Sequence, residues 1–144
     1  YFNDFINIGC MGVCFHIETV EDESEALDLL QELKAKNVKA GIAIDGYTEP
    51  SALSDKIINT ADQILVMTIK AGKGGQKLLP ECLDKIKVLR ERGFTGEIEI
   101  DGGVNGETAQ QCADVGIDIA VVGSYLMKSS FKQRFERVAD LNQI

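Results

Sequence analysis

Short apolar runs recur along this chain, and each is separated from the next by a stretch whose apolar residues fall at helical spacing. Residues 12–17, 39–44, 62–69, 98–101 and 118–124 are rich in Val, Ile, Leu and Ala, and most are closed by glycine, acidic or hydroxyl residues, which predicts buried strands. Between them the spacing changes. Residues 1–8 carry apolar side chains at 2, 5, 6 and 8 and predict the last turns of an amphipathic helix closing at Gly9. Residues 21–37 place Ala26, Leu29, Leu30 and Leu33 on one helical stripe, after an acidic start that suits the positive end of a helix dipole. Further helices are predicted over 51–59, 80–92, 107–115 and 129–141, the last with Phe131, Phe135 and Val138 on one side. A helix followed by five strand–helix units in strict alternation predicts a parallel sheet. Ligand-type residues after successive strands point further, to a (β/α) barrel.

The chemistry concentrates after the strands. Ile98-Glu99-Ile100-Asp101-Gly102-Gly103-Val104 is an apolar strand ending in a carboxylate and two glycines. Read alone it is either a tight turn or a place where backbone must approach a ligand, and in parallel α/β sheets ligands lie beyond the carboxyl ends of the strands. The run 62–69 leads into Ala71-Gly72-Lys73-Gly74-Gly75-Gln76, a loop that is either flexible or able to turn several free N–H groups and the Lys73 charge toward an anion. His16 ends the first strand, as a hydrogen-bonded core histidine or as a residue facing the ligand mouth; a supporting role is the reading taken.

Composition narrows the partners. A formal net charge of −8 argues against nucleic acid or an anionic membrane surface, both of which need clustered Lys and Arg. No apolar run approaches the roughly 20 residues of a membrane span, and the start lacks the pattern of a signal peptide, so a cytoplasmic protein with a small-molecule partner is expected. Cys10, Cys14, Cys82 and Cys112 have no paired spacing and are read as reduced thiols; with one histidine, a cysteine-based metal site is not expected. The 144 residues form a single domain on this reading, and the chain begins at Tyr1 rather than Met, either a processed start or part of a longer protein.

Four segments taken together, Phe15-His16-Ile17-Glu18, Leu65-Val66-Met67-Thr68-Ile69 with Gly72-Lys73-Gly74-Gly75-Gln76, Glu99-Ile100-Asp101-Gly102-Gly103-Val104, and Val122-Gly123-Ser124, resemble the ribulose-phosphate 3-epimerase family, in family order. The resemblance covers essentially the whole chain and corresponds to strands 4 to 8 of that family's (β/α)8 TIM barrel. It implies a sugar-phosphate isomerase of carbohydrate metabolism, interconverting ribulose 5-phosphate and xylulose 5-phosphate through an enediolate stabilised by one divalent metal ion, zinc, iron or manganese. Asp101 matches a family aspartate that both binds the metal and transfers a proton. Met67 matches a methionine lining the family's site, although plain core filling explains it as well. Gly72, Lys73, Gly74, Gly75, Gly102, Gly103, Gly123 and Ser124 match its substrate and phosphate loops.

The chain departs from the family where Lys70-Ala71-Gly72-Lys73 replaces a usual proline before the glycine and aromatic after it, and where Gly46 replaces a common proline. The family's remaining ligands, two histidines and an aspartate on earlier strands, have no counterpart. A hexulose-6-phosphate (allulose 6-phosphate) 3-epimerase would share every motif quoted, and a non-catalytic sugar-phosphate-binding barrel would keep the loops without the metal site. A related decarboxylase would carry an Asp-Lys-Asp cluster, which the sequence lacks. Five parallel strands leave two open edges and a bare inner face, so the expectation is a barrel completed by further chain or by a partner, in a homo-oligomer, and no turnover by these residues alone.

Overall fold

The computed structural model describes residues 2–72 and 74–144; Tyr1 and Lys73, each part of an expectation above, lie outside the described residues. Five strands, β1 (Gly12–His16), β2 (Lys39–Ile44), β3 (Gln63–Met67), β4 (Glu97–Asp101) and β5 (Ile119–Val121), form one parallel sheet in the order β1-β2-β3-β4-β5. The helices are α1 (Phe2–Asn7), α2 (Glu23–Ala35), α3 (Asp55–Thr60), α4 (Cys82–Glu91), α5 (Ala109–Asp114), α6 (Ser124–Met127) and α7 (Phe131–Leu141).

The register sorts the side chains of the sheet. Cys14 pairs with Gly41, Gly41 with Gln63 and Gln63 with Glu97; one layer higher, His16, Ala43, Leu65, Glu99 and Ile119 align, and above them Met67, Asp101 and Val121. Because strand side chains alternate, all of these share one face. Phe15, Ile42, Ile64, Val66, Ile98 and Ile100 occupy the opposite face and pack with Leu30 and Leu33 of α2, Ile57 of α3 and Ile86 and Leu89 of α4. Most of these core side chains are completely buried, and each contributes roughly 1.5–3 kcal/mol relative to exposure. Helices thus cover one face only and strand order follows chain order. A doubly wound sheet would carry helices on both faces and reverse its order, so the architecture is a five-unit section of a (β/α) barrel, its inner face bare.

The elements match the apolar pattern in type and order, and differ at their ends for local reasons. Ile17 leaves the first strand because Ile17–Thr19 turns into a 3-10 segment, where Thr19 Oγ1 donates to the His16 carbonyl at 2.7 Å. Residues 50–52 form a 3-10 turn instead of helix, and α3 starts at Asp55 behind its Ser54 cap. The helix expected from Pro80 begins at Cys82, since Leu79 N is tied back to the Thr68 carbonyl at 2.8 Å and holds the chain extended. The fifth strand is three residues long, and Ser124 opens the short α6 that the periodicity did not predict. The apolar stripe of α7 is present, but Phe131 and Phe135 stand in solvent.

Two aspartates repeat a device at the lower end of the sheet. Asp62 donates its N–H to the Ala40 carbonyl and accepts the Ala40 N–H on Oδ2 at 3.0 Å; Asp118 does the same for Ile98, at 2.9 and 2.8 Å. Each carboxylate supplies a ladder bond where the strand it precedes has not yet begun.

Candidate active site

Asp101 ends β4 on the bare inner face, directly across from Met67, which is buried. The turn that follows is set by Thr68, itself buried: its N–H donates to the Asp101 carbonyl at 2.9 Å and its hydroxyl to the Gly102 carbonyl at 2.6 Å. The glycine pair is required by the approach of the neighbouring loop. Gly103 has φ +71°, and a Cβ there would strike the backbone nitrogen of Leu78, while one on Gly102 would lie 2.5 Å from Ile69 Cγ1. The two loops after β3 and β4 are therefore packed backbone to backbone.

Next to that contact lies a cleft of about 420 Å³ lined by Gly75, Gln76, Lys77, Gly103, Val104, Asn105, Gly106, Glu107, Ser124 and Tyr125. It brings Gly75, Gly103 and Ser124, from the loops after β3, β4 and β5, to one place. Gly72 and Gly74 line an adjoining depression that shares Gly75 and Gln76. Gly102 is buried beneath the turn, Gly123 precedes α6 and lines neither, and Lys73 lies outside the described residues. The helix α4 starts seven residues after Gly75, so any anion site on the loop rests on its own N–H groups and not on the helix dipole.

Several cleft residues gave no signal on their own. Asn105 folds the floor by accepting Glu107 N–H at 2.8 Å and donating to the Gly103 carbonyl at 3.0 Å; an Asn-Gly-x-Thr sequence is the turn signature that could have found it. Tyr125 reaches the cleft from α6 with Arg137 stacked 4.2 Å over its ring. Lys128 Nζ stands 3.2 Å from the position of a Cβ on Gly75, a long-range proximity that no spacing reveals.

The carboxylates of the inner face feel their surroundings. Burial pushes Asp101 above the usual carboxylate range. Burial does the same to Glu99, and the Asp101 charge adds to it, against a hydrogen bond from Gln63 Nε2. His16 Nδ1 lies 3.1 Å from Glu18 Oε2, and the other Glu18 oxygen accepts Asp45 N–H at 2.8 Å, so His16 is linked through Glu18 to the loop after β2. Burial would raise the Glu18 carboxyl, but the hydrogen bonds from Asp45, Thr48 and His16 outweigh it and hold Glu18 low.

The sequence profile described as the ribulose-phosphate 3 epimerase family matches residues 1–127. The chain belongs to that family. A ribulose-phosphate 3-epimerase of Schizosaccharomyces pombe is 34% identical over 124 residues, covering 86% of this chain and 53% of the relative. One from Treponema pallidum is 34% identical over 133 residues, covering 90% and 59%. The chain spans about half the length of these curated relatives. Among solved structures, a 3-hexulose-6-phosphate synthase superposes with TM-score 0.72 at 16% identity over 96% of this chain and 63% of its own. A Mycobacterium tuberculosis tryptophan synthase gives 0.66 at 16%, over 97% and 53%. These two share the fold, the barrel that the sheet order already indicated.

Proposed function

We propose that the protein carrying these residues is a ribulose-phosphate 3-epimerase, inverting C3 of a ketopentose 5-phosphate, and that this chain supplies its phosphate cleft and one of its proton carriers. The observation that supports this most directly is the convergence of Gly75, Gly103 and Ser124 on one cleft, two residues from a carboxylate held above its usual range. The phosphate is taken by backbone N–H groups and the Ser124 hydroxyl, which satisfies its oxygens without requiring a positive surface in an acidic chain. Asp101 exchanges the C3 proton. A carboxyl shifted upward is a stronger base toward the C3 proton, and because C3 inverts, a second group on the opposite face has to return the proton. Met67, buried beside it, excludes water from the intermediate.

The divalent ion implied by the resemblance does not fit this chain by itself. Among the described residues no three His, Cys, Asp or Glu side chains converge, and a catalytic metal takes about three protein ligands. A zinc, iron or manganese ion in the whole protein needs ligands besides Asp101 that these residues do not bring to it.

Asp101→Asn tests the assignment. Solvent deuterium should enter C3 of ribulose 5-phosphate with the unaltered protein and enter at least about a hundredfold more slowly with the variant, as followed by NMR. Exchange at the unaltered rate would remove Asp101 from the mechanism. Phosphate binding without any exchange in the parent protein would support a sugar-phosphate binder.

A further inference from the structure

The glycine loop that forms the phosphate cleft is largely exposed at Gly72, Gly74 and Gly75. Gln76 Nε2 closes it on the Lys70 carbonyl at 2.8 Å, and the Ala71 N–H ties its start to the loop after β2 by donating to Asp45 Oδ2 at 2.9 Å. Asp45 follows β2, and its other oxygen accepts Tyr47 N–H at 3.2 Å. Its backbone N–H is held in turn by Glu18 after β1. One residue thus connects the loops after the first three strands.

The segment 45–48 that carries Asp45 is itself clamped. Lys85 of α4 is 5% exposed, and its Nζ donates to the carbonyls of Asp45, Gly46 and Thr48 at 3.4, 2.7 and 2.8 Å. Three donors meet three backbone acceptors, and among the described residues no carboxylate pairs with it. Cys82 Sγ reinforces the clamp at the Gly46 carbonyl, 3.3 Å away. On the other side Gly46 lies so close to the Ile69 carbonyl that a Cβ would collide with it. A buried ammonium bonded only to carbonyls is a costly way to hold a turn, since a neutral side chain would avoid desolvating the charge. It does fix three carbonyls of one four-residue segment at once, and with them the direction of the Asp45 carboxylate.

We propose that Asp45, clamped by Lys85, is a positioning residue that sets the 72–75 loop for the phosphate of the substrate. The inference rests on the phosphate reading above and adds a residue to it that touches neither substrate nor proton. Asp45 accepts from two backbone N–H groups simultaneously. An amide of the same size keeps one acceptor oxygen that a flip can turn to the Ala71 N–H, whereas Asp45→Ala leaves an acceptor for neither donor and breaks the tie.

The test uses the complete protein that carries these residues. Asp45→Ala should raise KM for ribulose 5-phosphate about tenfold, change kcat by less than about twofold, and leave kcat/KM for unphosphorylated ribulose where it was. Backbone hydrogen exchange at 71–75 should accelerate while the strands stay protected. Lys85→Met should shift the same KM and the same exchange. An unchanged KM and unchanged exchange overturn the proposal, and so does an equal loss on both sugars, which would assign Asp45 to general stability or to the chemistry. If the parent protein does not favour the phosphorylated sugar, the functional reading fails instead, and the exchange arm alone then decides whether Asp45 holds the loop.

Discussion

Gly75 sits at φ +79°, a left-handed conformation that β-branched residues avoid, and the space above it opens toward Lys128 Nζ. Gly75→Val therefore fails twice, by straining the backbone and by filling the position an anion would take. Inorganic phosphate, titrated calorimetrically, should bind at least about tenfold more weakly with a drop in Tm of no more than a few degrees, since the position is exposed. A collapse of Tm together with binding would instead make Gly75 a folding residue. At this scale the sequence was readable wherever chemistry and backbone demand fall on the same residue. Asp101, Gly75, Gly103 and Ser124 announce themselves as a carboxylate, glycines and a hydroxyl just beyond apolar runs. Asp45, Lys85 and Lys128 do not, because each acts on a residue tens of positions away, and an isolated Asp after a strand or Lys in a helix has the same appearance as a solvated charge.

The elements follow from alternation of apolar runs and helical stripes, and their ends from single hydrogen bonds that no period encodes. Strand β2 came out with its full predicted extent because Ala40 to Ile44 are buried on both sides, leaving no ambiguity about where the run stops. The fifth strand is short because it is an edge strand, paired with β4 over Ile119–Val121 and with no strand on its other side among the described residues. The aspartate device at the base of the sheet carries a prediction of its own. Burial raises the Asp62 carboxyl, yet the Ala40 N–H, Lys34 Nζ at 2.8 Å and the nearby Lys39 charge outweigh it and hold it below the ordinary 3.8. A carboxyl depressed on folding stabilises the fold above its unfolded pKa, and that contribution disappears as pH falls through the folded value. Asp62→Asn should accordingly cost roughly 0.2–1 kcal/mol near pH 7, the range for exposed pairs, and progressively less as pH falls below the ordinary 3.8. Urea unfolding on both sides of that value checks this, and a cost that does not vary with pH would mean that the hydrogen bond matters and the charge does not.

Across the whole molecule, one face of the sheet is packed by helices and the other carries none among the described residues. Strand β1 has an unpaired edge next to Met11, which is 88% exposed, β5 has another, and Phe131 and Phe135 meet edge to face at 4.9 Å in solvent. An apolar cavity of about 510 Å³ lies between the residues of α5, β5 and α7. Unpaired parallel edges and exposed apolar faces recruit further strands or other chains. Residues 1–144 produced alone should therefore sediment as associated species and give no C3 exchange, whereas a stable 15.7 kDa monomer with full turnover would contradict the need for a completed barrel. The sequential strand order has a different consequence, for how the chain is made. Pairing joins Gly12 to Lys39, Gly41 to Gln63, Gln63 to Glu97 and Glu99 to Ile119, so no partner strand begins more than 34 residues away, the distance from Gln63 to Glu97. Short separations keep loop-closure entropy low and favour fast local pairing. Each unit leaving the ribosome meets a template already built by the one before it, and the sheet grows from a single side without any earlier strand having to open.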